Sequence, residues 1–422
     1  MTHSTSVITR PGQSLPESFP VWRSRLDRLQ IDPVVAIAGS RGKTSVLRAF
    51  ESIIRVAGRR HAAWTDSGVE IEGDNQIGEL SPWHRALTRL GAGGLDLAVQ
   101  EIDWATLHSV VSPQCPFPVV AVTNLCVNSD ACLATPETVR ARKALDRIRS
   151  GGAPNTQLVM NASDVTMLDE LDVSAAGLTL IGVSSEMPAL RRHAAAGGST
   201  CWVSNSAICV SEDGIEYRVI DCSQVSWLHD GDIPFAVQNA LLATGIARAC
   251  GISIAEIAQG LAEHLAPPEL MPGSFNVFDV NGATVVIDRP AASWFLRPAM
   301  RAASNLGVGR GITVTGPMAV VANDDLTEVG RLLGRHSSII VTHGDWTTER
   351  TAAIRSGAAG NDVPPIFMHL PNERRAIQQA LGMLSPERVL VVLAEDAPTA
   401  VRIVASESRR GYDAPPTNIG AA

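Results

Sequence analysis

Residues 34–45 read Val-Val-Ala-Ile-Ala-Gly-Ser-Arg-Gly-Lys-Thr-Ser. The first five are an unbroken apolar run, the pattern of a strand covered on both faces as in a parallel sheet. A glycine-rich turn, Gly39-Ser40-Arg41-Gly42-Lys43-Thr44-Ser45, follows it. Beyond the turn, Val46, Leu47, Phe50, Ile53 and Ile54 recur at helical spacing up to Gly58, which predicts an amphipathic helix ending at a glycine. Strand, glycine turn and helix in this order make a phosphate cradle. Glycines let backbone N–H groups converge on an anion, and the helix N-terminus adds partial positive charge. Lys43 is placed to neutralise β- and γ-phosphate charge, and the hydroxyl of Thr44 or Ser45 to ligate Mg²⁺. The longer Walker A spacing would put a glycine at position 37, occupied by Ile37, so the match is to the short G-x-x-G-K-[ST] form.

Further strands are expected at 95–102, 118–125, 156–163 and 178–184, with helices between them, notably at 136–150. Alternating strands and helices predict an α/β protein with a mostly parallel sheet. Residues 200–230 alternate apolar and polar around a Glu-Asp-Gly turn, the signature of added antiparallel strands, and a helix follows at 235–251. Pro267 and Pro268 mark a boundary before a hairpin at 271–288 that turns at Val280-Asn281-Gly282. A second α/β pattern then has strands at 311–316, 337–343, 364–370 and 388–395 and helices at 291–306, 324–335, 347–357 and 371–383. The organisation expected is an N-terminal lead at 1–33, a nucleotide-binding domain at 34–268 and a smaller Rossmann-like α/β domain at 269–422, whose last ten residues look frayed.

The length of 422 residues allows two or three domains at roughly 150 residues each. With 35 basic and 43 acidic side chains the net charge is −8, spread along the chain, which argues against a nucleic-acid or anionic-membrane binder. No apolar stretch approaches the ~20 residues of a membrane span, and the polar start lacks a secretory apolar core, so a cytoplasmic protein is expected. Seven cysteines without a CxxC pair read as small apolar residues in a reducing compartment. Glu101 ends the strand 95–102, where a carboxylate can hold a metal over bound phosphates; it is equally a solvated carboxylate at a strand end.

These elements, in this order, resemble the Mur ligase family of ATP-dependent amide-forming enzymes. Within that family they look most like the C-terminal half of the cyanophycin synthetases, and the loop is also similar to that of the poly-γ-glutamate synthase branch. Residues 65–74 resemble its Thr-Asp-Gly stretch, Pro82-Trp83 its Gly-Pro-Trp, and Val122-Thr123-Asn124 its Thr-Asn strand end. Asn161 falls at its Asn-Ala-Asp turn, Gln238-Asn239-Ala240 at its nucleotide-contacting Asn, and 271–288 at the hairpin opening its last domain. Residues 324–333 and 372–396 are similar to the cyanophycin-type last domain.

The resemblance implies that ATP phosphorylates a carboxylate and that an amino acid or amine displaces phosphate to give an amide. It gives Gly39, Ser40, Arg41, Gly42, Lys43, Thr44, Ser45, Asn124, Asn239 and Asp288 to the nucleotide, and Thr44, Glu101 and Asp130 to Mg²⁺. Lys43, Lys143 and Asp288 would be catalytic, Lys143 falling near a lysine that many Mur ligases carbamylate; read from its neighbours Arg140, Arg142 and Arg147, Lys143 is a solvated helix lysine. The carboxylate expected is a small molecule, a peptide or a polymer end. Association with a protein partner or with a second copy stays open.

The chain also departs from the family. Its Asp-His after the Thr-Asn strand is replaced by a segment in which Asp130 is the nearby carboxylate. Ser274 replaces the arginine of Pro-Gly-Arg, and Asp288-Arg289-Pro290-Ala291-Ala292 keeps the family's Asp but loses its His. Gly316-Pro317-Met318 replaces a basic Gly-Asp-Arg-Arg-Asp segment. These losses fall in, or face, the last domain. They motivate an alternative expectation, a catalytically degenerate nucleotide-binding subunit acting with a partner protein. A guanine-specific NTPase is disfavoured because no Asn-Lys-x-Asp signature occurs.

Overall fold

The computed structural model describes residues 34–76, 82–110, 117–125, 135–150, 156–164, 177–212 and 214–413; the side chains at 82–84, 110, 137, 149–150 and 409–413 are outside that description. The chain divides into two units between Ala266 and Pro267.

The first unit is built on one sheet in the order β11-β10-β9-β8-β7-β6-β1-β5-β2-β3-β4. Its central strands are β1 (Val34–Ala38), β5 (Leu97–Ile102), β6 (Val119–Val122), β7 (Gln157–Asn161) and β8 (Leu178–Gly182). With β2 (His61–Thr65) and β9 (Ser199–Ser204) they form a parallel block. Every residue of β1, β5, β6 and β8 is buried, as strands covered on both faces require. The two ends of the sheet are antiparallel. β3 (Gly68–Ile71) and β4 (Asp74–Asn75) extend one edge, while β10 (Ala207–Glu212) and β11 (Ile215–Asp221) extend the other. The edge beyond β2 is a hairpin that the sequence pattern did not announce, because its strands are short and its polar residues dense.

Helix α1 (Lys43–Val56) starts directly after the glycine turn and buries Val46, Leu47, Phe50, Ile53 and Ile54. The other helices of this unit are α2 (Pro82–Gly91), α3 (Trp104–Val110), α4 (Pro136–Ser150), α5 (Pro188–Ala195), α6 (Pro234–Ala249) and α7 (Ile254–Glu263). α1 packs on α6 and α7. The start of α7 is a capping box in which Ser253 and Glu256 satisfy each other's backbone N–H groups.

The second unit has a sheet in the order β12-β13-β17-β14-β15-β16. β12 (Asn276–Val280) and β13 (Ala283–Asp288) form the expected hairpin, with Asn281 and Gly282 both at positive φ, as a two-residue hairpin turn needs. The remaining strands, β14 (Gly311–Thr315), β15 (Ser337–His343), β16 (Ile366–Leu370) and β17 (Val389–Leu393), run parallel to one another and to β13. One face is covered by α11 (Glu373–Gly382) and α12 (Ala397–Asp413). The other is covered by α8 (Ser293–Asn305), α9 (Leu326–His336) and α10 (Thr348–Ala359). Among the described residues no helix is long and apolar enough to cross a membrane.

Candidate functional site

β1 lies between β5 and β6. The chain leaves β1 through α1 to one side and returns through α3 to β6 on the other. Such a reversal opens a crevice at the carboxyl ends of the strands, where open α/β sheets bind ligands. The glycine turn sits in that crevice.

Its geometry depends on two glycines. Gly39 has φ +135° and Gly42 φ +85°, a region costly for L side chains. Neighbours also fill the space a side chain would need. A Cβ on Gly39 would lie 1.9 Å from Thr123 Oγ1, and one on Gly42 would lie 2.8 Å from Asn239 Oδ1. The end of β6 and helix α6 therefore press directly on the turn.

The residues after β6 hold the turn in place. Thr123 Oγ1 donates to the Arg41 carbonyl at 2.6 Å, and Asn124 Nδ2 donates to the same oxygen at 2.9 Å. Asn124 Oδ1 accepts the Arg41 N–H at 3.3 Å, while the Asn124 carbonyl accepts the Ser40 N–H at 3.2 Å. The strap is fixed from behind by Asp164, 2% exposed, whose carboxylate accepts the Leu125 N–H at 2.6 Å. Ser40 Oγ donates to the Leu125 carbonyl at 3.1 Å and accepts from Trp104 Nε1 at 3.4 Å. Asp164 was not singled out from the sequence; the signal available was its place three residues after Asn161 in a strand-end turn.

The N-terminus of α1 has Gly42 as its N-cap, with no side-chain cap and no acidic residue in its first turn. Its first N–H groups are thus set toward an incoming anion. Lys43 Nζ donates to the Gly39 carbonyl at 2.9 Å, so the ammonium already lies over the turn. Thr44 and Ser45 are half-buried beside it. Glu101, 2% exposed, stands in register with Ile37 of β1. Gln100 beside it is equally buried, and its Oε1 lacks a hydrogen bond.

Other residues named from the sequence lie elsewhere. Lys143 is exposed on α4. There, with Arg147 and Arg140, its charge adds to the effect of burial in lowering the His108 pKa. Asn161 Oδ1 accepts the Ser163 N–H at 2.8 Å, a local turn bond. Asp130 and residues 1–33 lie outside the described residues, as do Cys115, Cys126 and Cys132. In the second unit, Asp288 ends β13, 4% exposed, and its Oδ1 accepts the Arg289 N–H at 2.8 Å. Arg289 Nε and Nη2 both donate to the Pro272 carbonyl at 3.3 Å, which lays the guanidinium over the turn that carries Ser274. Burial pushes the Cys250 thiol up to about 12, so it is no nucleophile.

No family model matches the chain. Among curated proteins it is 22% identical over 394 residues to a cyanophycin synthetase of Nostoc, covering 88% of this chain and 42% of that protein. It thus spans about two-fifths of the length of such relatives. It is also 25% identical over 244 residues to a UDP-N-acetylmuramoyl-L-alanyl-D-glutamate–2,6-diaminopimelate ligase of Bacillus licheniformis, covering 54% of this chain and 46% of the ligase. Among solved structures it matches E. coli FolC in complex with DHPP and ADP, with a TM-score of 0.63, 16% identity and 93% of each chain covered. The chain has the Mur ligase fold and is related in sequence to cyanophycin synthetase and to the Mur ligases themselves.

Proposed function

We propose that the chain is an ATP-dependent ligase that activates a carboxylate as an acyl phosphate and passes the acyl group to an amino acid or amine. The observation that carries this reading is the phosphate turn. Two glycines at positive φ with neighbours pressed against them, an uncapped helix N-terminus and Lys43 over the turn meet at a sheet switch point in a fold shared with ligases.

In this reading the backbone N–H groups at the start of α1 hold the β- and γ-phosphates and Lys43 exchanges its bond to the Gly39 carbonyl for phosphate oxygen. A carboxylate oxygen of the substrate attacks the γ-phosphorus, and ADP leaves. The amine then attacks the acyl carbon, phosphate leaves with its electron pair, and the amine gives up a proton. The protein's share is positioning and neutralising charge. The Thr44 hydroxyl and the Glu101 carboxylate are hard oxygen donors, which fits Mg²⁺, an ion that takes one or two carboxylates and completes its shell with water and phosphate. When bound, Mg²⁺ supplies Lewis-acid neutralisation of the phosphate oxygens. Asn239 lines the turn beside Gly42, and Asp288 keeps the nucleotide role that the resemblance implies for it. Dependence on ATP makes the cytoplasm the expected compartment.

A second reading, a nucleotide-binding subunit that acts through a partner protein, is favoured by Ser274 and by the uncharged Gly316-Pro317-Met318 segment, where the resemblance calls for cations. Phosphate release from ATP in the presence of candidate acids and amines separates the two. Turnover that Lys43→Ala abolishes supports the ligase; tight ATP binding with no turnover for any pair of substrates supports the subunit. Turnover that survives Lys43→Ala removes the assigned site.

A further inference from the structure

In the second unit, α8 leads into β14, and α9, packed against α8 on the same face of the sheet, leads into β15. Both helices therefore finish at the amino ends of the parallel strands, the end opposite the one where open α/β sheets take up ligands. β17, the neighbour of β14, begins at that end as well. Residues 293–310, 326–338 and 385–388 line this end and the two helices. They carry six arginines (Arg297, Arg301, Arg310, Arg331, Arg335 and Arg388) and two carboxylates, Glu328 and Glu387. In a chain with a net charge of −8, this is a local surplus of positive charge.

Direct contacts tie these side chains into one patch. Arg388 Nη1 donates to the Arg310 carbonyl at 3.1 Å and lies against Gly309, where a Cβ would come within 2.8 Å of it. Arg310 Nη2 donates to the Gly334 and Ser337 carbonyls at 2.6 Å each, which joins its loop to the end of α9. Ser304 Oγ of α8 lies 2.6 Å from His336 Nδ1 of α9. Burial, then the charges of Arg335 and Arg301, lowers the His336 pKa, so both guanidiniums bear on this one ring. Farther back along the helices, Glu328 accepts from Arg297 Nη2 at 2.8 Å and from Arg331 Nε and Nη2 at 2.7 and 2.6 Å.

Two of the arginines thus already share a carboxylate. Arg301 and Arg335 differ: both are exposed, and among the described residues neither forms an ion pair. In the loop after α8, Val308 is 64% exposed. An exposed apolar side chain among arginines has the composition of a protein-binding surface, where guanidiniums are enriched and take carboxylates in charge-assisted bonds. The rest of the molecule selects among anions. Its net negative charge repels long polyanions and anionic bilayers, whose binding needs many phosphate contacts. A short acidic segment of a folded partner feels chiefly the charges within a Debye length of ~8–10 Å.

We infer that the amino end of the second unit's sheet, centred on Arg301 and Arg335, is the docking surface for a partner protein that presents clustered carboxylates beside an apolar side chain. The partner's carboxylates take Arg301 and Arg335 as Glu328 takes Arg297 and Arg331, and its apolar side chain covers Val308. The surface uses no residue of the phosphate turn and does not rest on the ligase reading.

Fluorescence anisotropy of the full chain with a labelled peptide of Glu-Glu-Leu repeats tests it, with the Gln-Gln-Leu peptide as the uncharged counterpart. The Glu peptide should bind at low salt and weaken as salt rises, and the Gln peptide should not bind. Arg301→Glu with Arg335→Glu should weaken binding about tenfold or more at an unchanged melting temperature, because neither side chain holds an ion pair within the chain. Should the melting temperature fall, Arg301→Gln with Arg335→Gln, which removes the charges without reversing them, must reproduce the loss. Arg374→Glu with Arg402→Glu makes the same charge change on the other face of the sheet and should leave binding intact, as should Lys43→Ala. No binding of the Glu peptide, or an equal loss in the two Arg→Glu pairs, overturns the surface. Tighter binding of single-stranded DNA or phosphatidylserine vesicles than of the peptide overturns it too, as does loss of binding in Lys43→Ala, which would seat the peptide on the phosphate turn.

Discussion

The carboxamide of Asn124 brackets the backbone of Arg41, accepting its N–H at 3.3 Å and donating to its carbonyl at 2.9 Å. One side chain at the end of β6 thus fixes both polar groups of a residue in the middle of the phosphate turn. Asn124→Ala releases both bonds, worth about 1 kcal/mol each. ATP binding should weaken roughly 10- to 30-fold at about 1.4 kcal/mol per decade, seen as a raised KM for ATP with a smaller change in kcat. Asn124→Asp keeps the acceptor and loses the donor, and should fall between the two. An unchanged ATP affinity for Asn124→Ala would show that Thr123 and the bonds of Ser40 to the Asn124 and Leu125 carbonyls hold the turn without the carboxamide.

The glycines make a sharper demand. Gly39→Ala combines a positive φ with a Cβ 1.9 Å from Thr123 Oγ1 and 3.1 Å from the Thr123 backbone nitrogen, so the strap itself must move. Strain of this kind costs about 1–3 kcal/mol. Gly39→Ala should lower the melting temperature and abolish ATP binding measured by titration. Gly42→Ala meets only the tip of Asn239 and should be rescued in part by Asn239→Ala, which opens that space. Failure of that rescue would mean that φ +85° alone dictates glycine there.

Much of the central sheet was legible because buried parallel strands are written as apolar runs. Val34–Ala38, Leu97–Ile102 and Val119–Val122 each lie inside the span expected, with ends trimmed where the chain turns polar. The turn was legible because only glycine serves where the backbone is left-handed and crowded. What stayed hidden depends on three-dimensional closure. Asp164 matters through its bond to Leu125, 39 residues away in sequence. His343 ends β15, Glu373 begins α11 and Glu395 lies between β17 and α12, and nothing in their spacing says that the fold brings them together. Helix α7 was missed as well, although its Ser253 and Glu256 capping box was there to be read.

Charges buried in the first unit give a stability prediction. Arg48 on α1, 8% exposed, donates to Glu51 at 2.8 Å and to both oxygens of Glu70 on β3 at 2.8 and 2.6 Å. Glu51 also meets His61 Nε2 at 3.2 Å. Arg48→Met would leave two carboxylates without their cation, a loss of about 3–5 kcal/mol for a buried pair. The denaturation midpoint should fall accordingly, and adding Glu70→Gln should recover part of the loss. A single variant as stable as the parent would show that water reaches the network and screens it.

The same region fixes a pH dependence. His264 follows α7, 5% exposed, with its ring edge-on to Trp227 at 5.3 Å. Burial first, then the charge of Arg55, pushes its pKa down to about 4 from an ordinary 6.5. Above pH 6.5 the imidazole is neutral in both folded and unfolded chains and contributes nothing. Between about 6.5 and about 4 the unfolded chain takes up a proton that the folded chain refuses, so stability falls as pH falls and levels off below the folded value. At 1.36 kcal/mol per pKa unit the loss reaches at most about 3 kcal/mol. Glu51 acts in the same direction at lower pH. Burial works to raise its pKa, but the bond to His61 and the charge of Arg48 outweigh that and hold it below its usual range, so protonation on acidification also costs stability. His264→Phe keeps an edge-on aromatic contact with Trp227 and removes the titration. Urea unfolding at pH 7.5, 6, 5 and 4.5 should show the parent losing stability steadily, while His264→Phe stays nearly level until the carboxylates titrate. Parallel pH profiles for the two proteins would mean that His264 is protonated in the folded chain at neutral-to-acid pH, with a partner that offsets its burial.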